Sequence, residues 1–140
     1  MTQGAGWWYD EGRQYARSLA ALERMGDQRG LAGRGMGRVR LALLHGDCVE
    51  AERWGRQSLA LAEGIADAGT TAWAMLHLGD VARARGDVAD AEEWGGRSLA
   101  GQERVGDQSG FAHARRLLGQ CALRAGGAHG RLLGVQDGGP

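Results

Sequence analysis

The chain has 140 residues and a mass of 14.8 kDa, one modest domain's worth of material. Its 17 basic residues balance 17 acidic ones, which argues against a generally basic nucleic-acid binder, and no apolar run approaches the roughly 18 residues of a bilayer span. The opening MTQGAGWWYDEGRQ has neither the basic start nor the apolar stretch of a signal peptide.

The predicted elements are all helices. The first covers Trp8–Met25 and holds Tyr15 and the block Ser18-Leu19-Ala20, ending at Gly26-Asp27. The second, Gly30–Leu44, contains the string Gly33-Arg-Gly-Met-Gly37, which invites a phosphate-loop reading. It lacks the Lys-Ser/Thr ending and the preceding strand such a loop needs, so the glycines read as codon-driven residues in a weak helix. Three interior glycines cost roughly 2–3 kcal/mol relative to Ala, making this helix the expected soft spot. Arg29, Arg34, Arg38 and Arg40 have no acid between Asp27 and Asp47, yet acid-rich helices flank them, and nucleic-acid contact is disfavoured. All 17 cations are Arg and there is no Lys or Asn, a composition typical of GC-rich coding, so Arg- and Gly-rich strings are discounted.

The third helix, Cys48–Gly64, opens after Gly46-Asp47 with Glu50 placed as in a capping box. The fourth, Thr70–Arg85, carries Ala72, Met75, Gly79 and Ala82 at helical spacing. The fifth, Val88–Val105, opens after Gly86-Asp87 and puts Val88, Ala91, Trp94, Gly95, Ser98 and Leu99 on one face. The sixth is Ser109–Arg124. No stretch alternates with period two, so no strand is expected.

The chain repeats. Gly46–Arg85 laid over Gly86–Ala125 without a gap agrees at 16 of 40 positions, and Gly6–His45 agrees with the third copy at 15. Three copies of a 40-residue unit, each encoding two helices, predict an all-α solenoid.

The repeat also serves as an internal control on chemistry. Cys48 aligns with Val88 and Trp8, and Cys121 with Val81 and Leu41, so both read as buried free thiols acting as small hydrophobes in a reducing cytoplasm. His45-Gly-Asp-Cys48 has no second ligand pair for zinc. His77 aligns with Leu117 and His113 with Trp73, and neither has the oriented partner a general base requires. No catalytic residue, metal site or cofactor is expected. Trp54 and Trp94 occupy equivalent positions and read as core wedges.

Leu78-Gly79 and Leu118-Gly119, then Ala82 and Ala122, the Gly-Asp turns, Ala51 and Ala91, and the Ser-Leu-Ala blocks resemble tetratricopeptide repeats. The 40-residue period resembles the longer variety found in large bacterial LuxR-type and antibiotic-regulatory transcription activators. The resemblance covers residues 6–125 and leaves 126–140 as a Gly-rich flexible tail. It implies a right-handed helical-hairpin stack of six antiparallel helices that binds a protein or peptide in its groove. The alternative is a fragment of the sensor-repeat region of such a regulator.

In that architecture the first helix of each pair lines the concave side. Ala112, Leu118, Gly119 and Ala122 are the expected core of the third copy. The groove is then expected to carry Met36 and Arg40, Trp73, Leu76 and Asp80, and His113, Arg116, Gln120 and Arg124. Arg suits carboxylate capture and Trp is a common interface anchor, so an acidic peptide with an aromatic or aliphatic side chain is the expected ligand. The open ends, with Trp7, Trp8, Leu118 and Leu123, are expected to support a homodimer.

Overall fold

The computed structural model describes residues 3–25 and 27–133, with side chains described for 10–21, 23 and 27–124. Six helices follow one another: α1 (Gln3–Met25), α2 (Gln28–Leu44), α3 (Cys48–Gly64), α4 (Ala68–Arg85), α5 (Val88–Val105) and α6 (Gln108–Leu133). No described residue is in a strand. The fold is the expected all-α helical-hairpin solenoid. Two boundaries differ clearly: α1 begins at Gln3, five residues before the expected Trp8, and α6 runs on to Leu133, into the segment expected to be a tail.

The helices join through a two-residue device that recurs at a half-period of 20. Asp27, Asp47, Asp67, Asp87 and Asp107 each precede a helix and accept the backbone N–H three residues on, at 2.9–3.1 Å. Each satisfies one of the N–H groups that a helix start leaves without a partner. Four of these Asp residues close the preceding helix as well. The N–H of Asp47, Asp67, Asp87 and Asp107 donates to the carbonyl five residues back, at 2.9–3.1 Å, across a residue in the left-handed conformation. Gly46, Gly86 and Gly106 take that conformation at φ 72°, 90° and 76°.

At the second of these four turns Ala66 takes the place of glycine, with φ 55°. A Cβ in this region costs about 1–2 kcal/mol. Ala66→Gly is therefore expected to stabilise the protein by about 1 kcal/mol in denaturant unfolding, and a loss of stability would show that this turn is not strained.

Packing is layered. α2 touches α4 and α4 touches α6, whereas α1, α3 and α5 touch only α2, α4 and α6 among the described residues. The inner layer is thus closely spaced and the outer layer splayed, so the concave face belongs to α2, α4 and α6. The core between the layers holds Val39, Ala42, Ala51 and Val81 near the first hairpin, and Ala82, Ala91, Ala114, Leu117 and Cys121 near the last. Ser58 and Ser98 are fully buried, and the Ser98 hydroxyl donates to the Ala72 carbonyl at 2.8 Å.

Three expectations about packing are corrected. Glycines Gly35 and Gly37 in α2 are contact sites: a Cβ on Gly35 would collide with the Ser58 hydroxyl, and one on Gly37 would lie 2.8 Å from the Tyr15 ring. Only Gly33 faces open space, so Gly33→Ala alone is expected to gain stability. The third copy's core is Ala114, Leu117 and Cys121. Ala112, Gly119 and Ala122 are exposed and Leu118 is half-buried. Their equivalents Ala72, Gly79 and Ala82 are buried because the following hairpin covers them: a Cβ on Gly79 would stand 2.6 Å from Leu117. No described helix covers the corresponding side of α6. Cys48, expected to be buried like Cys121, is only partly so.

Candidate functional site

The concave face carries two neighbouring cavities, one in each groove of the inner layer. Between α2 and α4 lies a cavity of about 380 Å³ walled by Tyr15, Met36, Trp73 and His77, with Arg34 and Arg40 at its rim. Between α4 and α6 lies one of about 520 Å³ walled by Leu43, Leu76 and Leu117, with Asp80, Arg83, His113, Arg116 and Gln120 around it.

The wall between them is aromatic. The Trp73 ring centroid is 5.6 Å from His113 and 6.3 Å from His77. The position of Trp73 is fixed from the α5–α6 turn, where its indole N–H donates to Asp107 Oδ2 at 2.7 Å while Asp107 Oδ1 caps α6. The bond to the Gly110 N–H, followed by the one from Trp73, holds the Asp107 carboxyl below its usual range. His77 lies within hydrogen-bond reach of the Trp73 carbonyl through Nδ1, at 2.9 Å.

The structure thus distributes the expected groove residues. Met36, Arg40 and Trp73 share the first cavity; Asp80, His113, Arg116 and Gln120 share the second. Leu76 is only 3% exposed and forms part of the core, so it serves as a buried wall of the second cavity. Arg124 is exposed and lines neither cavity. Sequence reasoning missed His77, Arg34 and Arg83, and it missed Asp107 as the anchor of Trp73. The Asp at every twentieth position was the available signal for the last.

Charge on this face is one-sided. Arg34, Arg40, Arg83 and Arg116 form no ion pair among the described residues, and the Arg83 Nε is buried without a partner. The remainder of the arginine-rich segment is committed elsewhere. Arg29 pairs with Asp67, while Arg38 donates to the Gly12 carbonyl at 2.9 Å and lies over the Trp54 ring. Carboxylates concentrate on the outer helices, where Glu50 pairs with Arg53, and Glu52 with Arg56 and Arg85. The net charge is zero, but the concave face is positive.

Burial sets the titration of this face. It lowers the His77 pKa and raises that of Asp80, each partly offset by the other's charge. A base whose pKa falls on folding is protonated first in the unfolded chain, so His77 makes the fold less stable as pH drops below about 6.5. Asp80 acts in the opposite sense, because its ionisation above about 3.8 is penalised in the fold. NMR titration is expected to place the His77 midpoint below 6.5 and the Asp80 midpoint above 3.8. A His77 midpoint above 6.5 would show that attraction to Asp80 outweighs burial.

No group of three or more His, Cys, Asp and Glu residues is arranged to hold a metal ion among the described residues, and no described helix is long and apolar enough to cross a membrane. The face is built from aromatic rings, apolar walls and the guanidinium groups of Arg34, Arg40, Arg83 and Arg116, the last within 2.7 Å of His113 Nδ1. Comparison with known proteins finds that the sequence model of the tetratricopeptide repeat family matches residues 28–104, more than half of the chain. No curated protein matches it.

Proposed function

The chain belongs to the tetratricopeptide repeat family, and on that premise we propose that its concave face holds an acidic peptide segment of a partner protein, with no reaction of its own. Repeats of this family generally mediate protein–protein interaction and are typically non-catalytic. The observation that carries the reading is the placement of four arginines, without carboxylate partners among the described residues, around the two concave cavities. Each carboxylate of the peptide would exchange water for a charge-assisted contact, and an aromatic or aliphatic side chain would rest on Trp73, Met36 and Tyr15.

The test is binding of an acidic peptide library to wild type, Trp73→Ala and Arg116→Glu, with folding followed by circular dichroism. At least tenfold weaker binding in both variants is expected, and binding that also weakens as salt rises. Unchanged binding by two folded variants would eliminate the concave site.

The 40-residue period and the regular Gly-Asp turns favour a related placement of this module, as the sensor-repeat portion of a bacterial transcription regulator. An adjacent reading frame encoding an ATPase or a helix-turn-helix would support it. A cytoplasmic location belongs to the same reading, since both thiols are free and one is buried. Self-association through the end faces is its companion. On α6, Leu123 is 78% exposed beside half-buried Leu118. The Trp7 and Trp8 side chains lie outside the described residues. A clean monomer in sedimentation at high micromolar concentration would remove the dimer.

A further inference from the structure

The outer helices splay, and each pair leaves a furrow floored by an inner helix. The molecule contains two such furrows in equivalent positions, and their contents differ. Between α3 and α5, over α4, the furrow is filled. Arg85 reaches from the end of α4, with its guanidinium 2.7 Å from Glu52, 3.1 Å from Asp90 and 3.7 Å from Asp87. Arg56 lies alongside, paired with Glu52 at 3.1 Å.

Between α1 and α3, over α2, three of these side chains are missing. The positions of Glu52, Arg56 and Arg85 are taken by Gly12, Ala16 and His45. The result is a cavity of about 500 Å³ floored by Leu41 and Ala42. Two of the three carboxylates that receive Arg85 in the filled furrow are retained, because Asp47 and Glu50 stand where Asp87 and Asp90 stand, although Glu50 is also paired with Arg53 at 2.7 Å. Asp47 caps α3 through Oδ1, as Asp87 caps α5, and its Oδ2 forms no ion pair among the described residues. The arginines at the rim are already committed: Arg13 to Asp10 at 3.0 Å, and Arg38 to the Gly12 carbonyl and the Trp54 ring.

We propose that this furrow is a second binding site, separate from the concave face, and that it takes an arginine side chain supplied by a partner protein. The occupant is identified by the neighbouring copy, where the same fold puts a guanidinium against Asp87 and Asp90, the equivalents of Asp47 and Glu50, together with Glu52. Its aliphatic stem would lie on Leu41, Ala42 and Ala16, and its guanidinium would reach Asp47 Oδ2 and share Glu50 with Arg53. Glu50 also supplies a reporter, because its Oε2 accepts the Trp54 indole N–H at 2.9 Å.

The experiment uses the full chain and N-acetyl-arginine amide as probe, read from the Trp54 indole N–H signal in nitrogen–proton NMR, assigned with Trp54→Phe. A saturable shift in the millimolar range is expected, with N-acetyl-citrulline amide, uncharged and of the same shape, giving none. The variant Gly12→Glu/His45→Arg restores the residues of the filled copy and is expected to weaken binding at least tenfold while raising the melting temperature. Ala16→Arg fills the furrow from the other wall and is expected to weaken binding to the same degree, so the result survives if the double variant does not fold. No saturable shift, an equal shift with the citrulline probe, or unweakened binding by a folded filled variant would each overturn the proposal. Acidic peptides bound at the concave face leave this signal unchanged in the proposal, so the two sites fail or stand independently.

Discussion

Replacing Trp94 by Ala is expected to remove about 3–5 kcal/mol of stability, a large share of the roughly 5–15 kcal/mol that holds a domain folded. Trp94 is 8% exposed and packs with Leu59, Ala74 and Leu78 where α3, α4 and α5 meet. Its Cβ lies against Gly79, so the α4 glycine and the α5 indole form one close crossing. Arg97 and Arg56 lie 4.7 Å and 5.7 Å from its ring and shield it from solvent. Truncation would leave a cavity that three helices border and none can close alone. Trp54, its equivalent, is only half-buried, so Trp54→Ala should cost clearly less. Urea unfolding of both variants checks this. A Trp94→Ala cost below about 1 kcal/mol would show that the helices collapse into the space.

The opposite sign is expected at Gln102. This residue is fully buried, and both polar atoms of its amide are without hydrogen-bond partners among the described residues. A buried amide in that state costs about 1–3 kcal/mol. The repeat explains the size of the side chain there. Gln102 lies on Gly110, where an added Cβ would collide with the amide, and the equivalent pairs are Ala62 with Thr70 and Leu22 with Gly30. A large residue on the odd-numbered helix accompanies a small one on the next, and the reverse. Leucine, the residue at the equivalent sequence position 22, has no polar atom to satisfy. Gln102→Leu is therefore expected to stabilise the protein by about 1–3 kcal/mol, and Gly110→Thr alone to destabilise it. A loss of stability in Gln102→Leu would mean that the amide is hydrogen-bonded in solution.

Within this family the array length, helix register and turns are local properties, and the sequence by itself determined them. A Gly-Asp pair needs only its own helix ends to form a left-handed residue and a cap, so the boundaries near residues 44–48 and 85–88 follow from the residues there. Helical spacing likewise places Ala91, Trp94, Gly95 and Ser98 on the buried side. The glycines were read differently by sequence and structure. Gly33, Gly35 and Gly37 are alike in composition, and only the presence of Ser58 and Tyr15 across the interface separates the one that is free to change from the two that are not. The same holds for Gly55 and Gly95, whose neighbours across the interface only the fold supplies. Leu78 and Leu118 come within 2.8 Å and 2.9 Å of where their Cβ atoms would be.

The candidate sites divide on the same line. That Trp73, His113 and Arg116 share the inner face follows from period and helix order. That Trp73 is held by Asp107, 34 positions away, that Leu76 is core, and that Arg34, Arg40 and Arg83 have no carboxylate partner among the described residues were decided by contacts between distant parts of the chain. A periodic sequence specifies which residues recur. It does not specify which side chain reaches across to the next helix, because that depends on the volume and charge opposite. The first furrow, with its cavity, shows why: Gly12, Ala16 and His45 are ordinary substitutions in a repeat until the fold places them together over Leu41.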